Sequence, residues 1–260
     1  MSFSLENLCF AYDGHLVIDD VTLAFDPGKS IGIIGPNGSG KSTLLDLMAG
    51  HLAPDSGRVF LGETPLTLYT GKALALKVAM VPQMFTVNFA YTAREVVMMG
   101  RYPHIPRFSA PADQDLEKVE EVMEKTGISG FESRLVTEVS GGERQRIFFA
   151  RALAQNAENL LLDEATSSLD INHAVSMMNI VTQEIRELGK TVVSVFQDIN
   201  LAAMYCDELV FLKQGRALAK GPVDEVLTEA TVREVFGVSC DVAYHPGAGA
   251  PQVVYRKEAV

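Results

Sequence analysis

Long apolar runs are missing from this 260-residue sequence: none approaches the roughly 20 consecutive residues that a helix needs to cross a bilayer. The opening MSFSLENLCF has neither a basic start nor the apolar core of a signal peptide, so any membrane association is expected to come through a partner. Cysteine is scarce. Cys9, Cys206 and Cys240 are far apart, odd in number and without metal-ligand spacing, which predicts three reduced thiols in a cytosolic setting rather than a metal site or a disulfide framework. An excess of positive charge is also missing. The formal net charge of -11 repels an anionic backbone over most of the surface and no basic groove is evident, so nucleic acid is not an expected partner. Internal repeats and low-complexity tracts are absent too, although His245 to Pro251 forms a glycine- and proline-rich turn.

With 47% apolar and 21% charged residues, the composition is that of an ordinary globular protein, long enough for one large domain or a core carrying a smaller lobe. Between Ser2 and Asp26, Val21, Leu23 and Phe25 alternate with Thr22 and Ala24, which predicts two or three short strands around the turn Asp13-Gly14. Ser30 to Ile34 predicts an apolar strand entering a glycine-rich loop, and Lys41 to Met48 a helix that stops before Gly50 and Pro54. Further strands are expected at Val78 to Val81, Leu160 to Leu162, Thr191 to Phe196 and Leu209 to Leu212, and a helix at Arg144 to Gln155. From Met84 to Val139 the sequence becomes mainly helical. There Leu116, Val119, Val122 and Met123 share one helix face, with Asp115, Glu117, Glu120 and Glu124 expected on a solvated opposite face. Pro103, Pro106 and Pro111 make the preceding stretch an exposed loop. Apolar strands alternating with helices predict an α/β fold with a mostly parallel sheet, whose ligands gather at the carboxyl ends of the strands.

Gly35-Pro36-Asn37-Gly38-Ser39-Gly40-Lys41-Ser42 has the spacing of a phosphate-binding loop, in which small residues let backbone N–H groups surround a phosphate at a helix N-terminus. Lys41 is expected on the β- and γ-phosphates of ATP, and Ser42 on a magnesium ion. Thr43 lies close enough to support the phosphate contacts. The strand Leu160 to Leu162 then delivers Asp163 and Glu164 together. Asp163 is the candidate for magnesium, directly or through water, and Glu164 the candidate base for an attacking water. Two acids at a strand end also cap helices; the phosphate loop upstream favours the chemical reading.

Ser140-Gly141-Gly142-Glu143-Arg144-Gln145 resembles the signature motif of the ATP-binding cassette family. Alone, Ser-Gly-Gly also describes a helix-capping turn, but it lies between the phosphate loop and Asp163-Glu164, as the family requires. The resemblance covers nearly the whole chain. It implies that Tyr12 stacks on adenine, that Gln83 links the magnesium site to a helical lobe, and that Ser168-Leu169-Asp170 crosses a dimer interface. Each has an ordinary alternative as a surface aromatic, a loop amide or a helix cap. The family fold is a P-loop NTPase core with an N-terminal antiparallel β portion and an inserted helical lobe, which assigns residues 1–84 and 145–260 to the core and 85–144 to the lobe. Two copies are expected to pair head to tail, Ser140 to Glu143 of one facing the γ-phosphate held by the other.

Two positions depart from the family pattern. Gln197 stands where a histidine usually contacts the γ-phosphate; its amide donates a hydrogen bond but neither gains charge nor exchanges a proton near neutral pH, so it is expected to permit ATP binding while lowering or retuning hydrolysis. Ala165 replaces the usual proline after Glu164 and removes no functional group. The stretch Met84 to Arg107, with Met99-Gly100-Arg101-Tyr102-Pro103-His104, resembles cassette subunits of bacterial importers for iron chelates, haem and cobalamin. That resemblance implies an ATPase at the cytoplasmic face of the membrane, docked on two permease subunits and served indirectly by an external substrate-binding protein. His15, His51, His104, His173 and His245 are expected at the surface or in packing rather than on a metal. A soluble cassette ATPase of nucleic-acid repair or translation is the alternative, marked by DNA- or RNA-stimulated hydrolysis; a phosphate-loop kinase is a third, marked by a phosphorylated acceptor.

Overall fold

A computed structural model describes residues 2–83 and 90–257, so residues 84–89 of the importer-like stretch beginning at Met84 lie outside the described residues. The chain forms two units, Met1–Leu68 with Thr191–Val260, and Tyr69–Lys190. Along the first segment come β1 (Phe3–Tyr12), β2 (His15–Phe25), β3 (Ser30–Ile34), α1 (Lys41–Ala49), β4 (Ser56–Leu61) and β5 (Thr64–Pro65). The second unit contains α2 (Gly71–Ala75), β6 (Val78–Val81), α3 (Ala93–Met99), α4 (Asp113–Lys125), α5 (Gly141–Ala154), β7 (Asn159–Asp163) and α6 (Ile171–Leu188). The chain then returns to the first unit with β8 (Thr191–Val195), α7 (Ile199–Tyr205), β9 (Glu208–Lys213), β10 (Arg216–Pro222), α8 (Val223–Val226), α9 (Glu229–Phe236), β11 (Cys240–His245) and β12 (Ala250–Tyr255).

In the first unit β1 pairs antiparallel with β2 and β4, and β4 with β5. The sequence suggested two or three short strands before Asp26; there are two, of 10 and 11 residues. Asp13 and Gly14 join them with φ of 47° and 83°, the paired positive angles of a type I′ hairpin turn. A second sheet places β3 between β8 and β9, parallel to both, with β10 antiparallel on β9. Every residue of β3 and β8 is buried, which explains their unbroken apolar character: both faces of a central parallel strand are covered. β11 and β12 form a separate hairpin. The three cysteines are free thiols, and desolvation pushes the Cys206 thiol up to about 12.

In the second unit β6 runs parallel to β7. Helix α3 packs on α5 so closely that a Cβ on Gly100 would lie 2.2 Å from the Arg151 carbonyl oxygen. The apolar face of α4 buries Val119, Val122 and Met123, as the periodicity predicted, while Leu116 stays partly exposed. Asp115 is a correction. Assigned to the solvated face, it is buried, because its Oδ1 accepts from Arg101 Nε at 2.9 Å and its Oδ2 from the Ala112 N–H at 3.0 Å. Those partners replace the water that a charged group otherwise requires. His104 has a packing role, its Nε2 lying 2.8 Å from the Gln155 carbonyl oxygen. Among the described residues no cluster of His, Cys, Asp and Glu could hold a metal ion, and no helix is long and apolar enough to cross a membrane.

Glu184 on α6 is buried between Lys125 Nζ and Lys190 Nζ, each 2.6 Å from a carboxylate oxygen. Burial pushes its carboxyl up, but the two ammonium groups together overcome this and hold it below the ordinary value of 4.5. A depressed carboxylate contributes stability above that ordinary value and loses it as the pH falls through the folded-state pKa. Glu184→Gln leaves the lysines unmatched and is expected to cost about 3 kcal/mol at neutral pH, as for other broken buried ion pairs. Urea unfolding at neutral pH and near pH 3 checks this: the gap between parent and variant should narrow in acid.

Candidate functional site

In the first unit, β3 ends at Ile34 and the chain turns at once into the glycine-rich loop. A Cβ at position 35 would lie 2.1 Å from the Leu212 carbonyl oxygen and 2.7 Å from Ser39 Oγ, so glycine is required there. Gly40, with φ of 96°, is confined as well: a Cβ would meet the Val17 carbonyl oxygen at 2.8 Å. Between these points the Ser39 N–H donates to the Pro36 carbonyl at 3.2 Å, while Asn37 and Gly38 are exposed. Helix α1 starts directly after Gly40, an N-cap residue with no side chain of its own to cap it. The positive end of its dipole therefore lies at the glycine-rich loop, where it favours an anion. Lys41 is buried, and its ammonium donates to the Gly35 and Pro36 carbonyls at 2.9 and 3.0 Å, above the same loop. Ser39 Oγ is buried without a protein partner, a further polar atom suited to an oxygen-rich ligand. Thr43 is buried in the first turn and Ser42 is half-buried beside it.

In the second unit, β7 carries the buried Asp163 and is followed by the buried Glu164. Glu164 has φ of 48°, a left-handed conformation that is uncommon for any residue but glycine and costs on the order of 1–3 kcal/mol. Two neighbours hold it. Its carbonyl accepts from Ser167 N–H at 3.0 Å and from Ser167 Oγ at 2.8 Å, and its Oε2 accepts from Gln83 Nε2 at 2.6 Å. The glutamine and the candidate base, 81 residues apart, thus meet directly.

The remaining predicted residues lie at helix starts, at the end of β1 and just after β8. Ser140 caps α5 in a reciprocal arrangement: its Oγ accepts from the Glu143 N–H at 3.2 Å, and the Glu143 carboxylate accepts from the Ser140 N–H at 2.8 Å. The Ser140 N–H, and after it the Ser140 hydroxyl, hold the Glu143 carboxyl below its ordinary value. Gly141 is exposed, and Gly142 faces the loop at Ser168 and Leu169. Asp170 caps α6, accepting from the His173 N–H at 2.8 Å. Tyr12 is half exposed and packs edge-on against Phe10, ring centroids 4.8 Å apart. Gln197 is exposed two residues past the end of β8, before Asp198, which caps α7.

Ser167 was not singled out by the sequence reading. The signal was present: a serine three residues after an acid at a strand end is a common turn-stabilising pattern.

The family model described as ABC transporter matches residues 18–167. The cobalamin import ATP-binding protein BtuD of Halobacterium salinarum is 41% identical over 97% of this chain; the chain spans 63% of that relative's length. The hemin import ATP-binding protein HmuV of Bordetella pertussis is 39% identical, with 95% of this chain and 96% of that one covered. Among solved structures, a dimeric ATP-binding cassette in a post-hydrolysis state bound to ADP and Pi aligns at a TM-score of 0.78 and 27% identity, over 85% of this chain and 98% of the other. A family model matched over more than half of the sequence, together with relatives this similar, shows that the chain belongs to the ABC transporter family.

Proposed function

We propose that this chain binds and hydrolyses ATP to power a membrane importer, with an iron chelate, haem or cobalamin as cargo. The observation that carries the reading is the phosphate loop: a helix N-terminus directly after Gly40, two sites where only glycine fits, and a buried lysine over the loop carbonyls. The Gly35 to Thr43 amides and Lys41 take the phosphates, and Tyr12 takes the adenine. Magnesium, when bound, neutralises phosphate charge. The donors fit it: the Ser42 hydroxyl and Asp163 carboxylate are hard oxygen ligands, and the Gln83 amide, donating through Nε2 to Glu164, retains its Oε1 as an acceptor. Glu164 orients and deprotonates the attacking water. Ser140, Gly141, Gly142, Glu143 and Asp170 serve the nucleotide held by a second copy.

Residues 85–144 form the lobe that docks on the permease, and the chain works peripherally at the cytoplasmic face. The importer names of the relatives support this reading, as does the charge of -11, which disfavours a nucleic-acid partner. Cargo selection lies with the permease and the external binding protein. Copurification with a permease supports the importer assignment; hydrolysis stimulated by DNA or RNA, or transfer of phosphate to an acceptor, overturns it.

Replacing the base tests the chemistry. Glu164→Gln is expected to lower phosphate release at least ~100-fold while preserving ATP binding, and to accumulate an ATP-dependent dimer visible by light scattering. Parental turnover in that variant removes Glu164 from the mechanism.

Gln197 offers a sharper comparison. Gln197→Ala is expected to reduce kcat roughly tenfold with little change in ATP affinity, because one phosphate-side donor is lost. Gln197→His should alter kcat and add a dependence on pH near 6.5 that the parent lacks, since imidazole titrates there. If both variants match the parent in rate and affinity, the position has no such role.

A further inference from the structure

We propose that the β11–β12 hairpin is a strut that positions Gln197, acting through Asn200; this rests on the reading of Gln197 as a phosphate-side donor. Asn200 lies in the first turn of α7, three residues beyond Gln197. Its side-chain amide grips one residue of β12 in both directions: Oδ1 accepts from the Val253 N–H at 2.7 Å, and Nδ2 donates to the Val253 carbonyl at 3.1 Å. An N–H and C=O of one strand residue point to the same side, so Val253 turns both toward α7 and away from its β11 partner, Val242. Asparagine completes the pair that a neighbouring strand would otherwise supply.

Gln197 is bracketed on both sides. Before it, the Phe196 N–H donates to the Ile33 carbonyl at 3.1 Å, tying the chain to β3. After it, Asp198 Oδ1 accepts from the Asn200 and Leu201 N–H groups at 2.8 and 3.1 Å. Helix α7 has seven residues, too few to hold an axis without tertiary support, so the grip on β12 fixes the direction in which α7 leaves Gln197. The hairpin is itself anchored: Val253 and Cys240 are buried, Arg256 pairs with Asp241, and the Arg256 N–H donates to the Ser239 carbonyl at 3.0 Å. Partial burial, and then the charge of Asp198, raise the Tyr255 phenol above its ordinary value, which brings the same hairpin within electrostatic reach of the Gln197 loop. Asn200 is thus a positioning residue rather than a catalytic one.

The test is a double-mutant cycle in the full chain, reading kcat and KM for ATP. Asn200→Leu keeps the volume and removes both bonds; it is expected to lower kcat by up to about tenfold, no more than Gln197→Ala itself, through misplacement of Gln197, with KM nearly unchanged. Asn200→Asp keeps the acceptor alone and should fall between. In the Gln197→Ala background, Asn200→Leu should cause no further loss. Parental kcat in Asn200→Leu, or losses that multiply in the double variant, overturns the strut. Parental kcat in Gln197→Ala is a different failure, of the phosphate-side reading itself, and a loss in Asn200→Leu alongside it shows that Asn200 acts elsewhere. Thermal unfolding reports whether each variant is folded; if Asn200→Leu is not, Asn200→Asp and its double with Gln197→Ala carry the same comparison.

Discussion

Helix α1 begins directly after Gly40, which has no side chain to cap it, so the positive end of its dipole lies at the glycine-rich loop. Two carbonyl oxygens define the path of the chain into it. Leu212, from β9, closes the space beside Gly35, and Val17, from β2, closes the space beside Gly40. One belongs to a strand parallel to β3 and the other to the antiparallel sheet, so both sheets of the first unit are needed to set a loop of a few residues. A methyl group at either glycine would displace backbone rather than a flexible side chain, and no nearby rotamer change relieves that.

The carboxylate side relies on strain held in place. Glu164 adopts a left-handed conformation at the end of a fully buried strand. Ser167 satisfies its carbonyl twice and Gln83 satisfies its carboxylate, contacts whose combined net worth is comparable to the strain. Asp163, one residue earlier, keeps ordinary strand geometry. Adjacent acids of the same charge are thereby sent in different directions, which suits a division between metal ligand and base.

Much of this was readable without coordinates because it is local. The strand before Gly35, the helix after Gly40, the strand β6 and the turn at Asp13-Gly14 are set by apolar runs and glycine punctuation within a few residues. What was not readable depends on distant partners. Asp115 shares the helical spacing of its solvated neighbours and is buried because Arg101, 14 residues earlier, lies against it. The grip of Asn200 on Val253 spans 53 residues, and no periodicity marks either end. The β11–β12 hairpin was not named because its strands are only partly buried, whereas α6 did carry a signal that went unused: Ala174, Met177, Met178 and Val181 repeat at helical spacing after the Asp170 cap. Among the predicted site residues the motif gave the identities, while the left-handed turn at Glu164 and its serine brace came from geometry.

Arg101 has a mechanical consequence. Its Nε holds Asp115 at the start of α4, its NH1 donates to the Ala154 carbonyl at 2.7 Å at the end of α5, and it follows directly on the last turn of α3. One buried guanidinium thus rivets three helix ends. Gly100 beside it removes the slack, since α3 and α5 touch backbone to backbone. The loop that begins at Tyr102 therefore starts from a point where three helix ends are tied together, and a variant that loosens Arg101 would leave every motif intact while freeing those ends from one another.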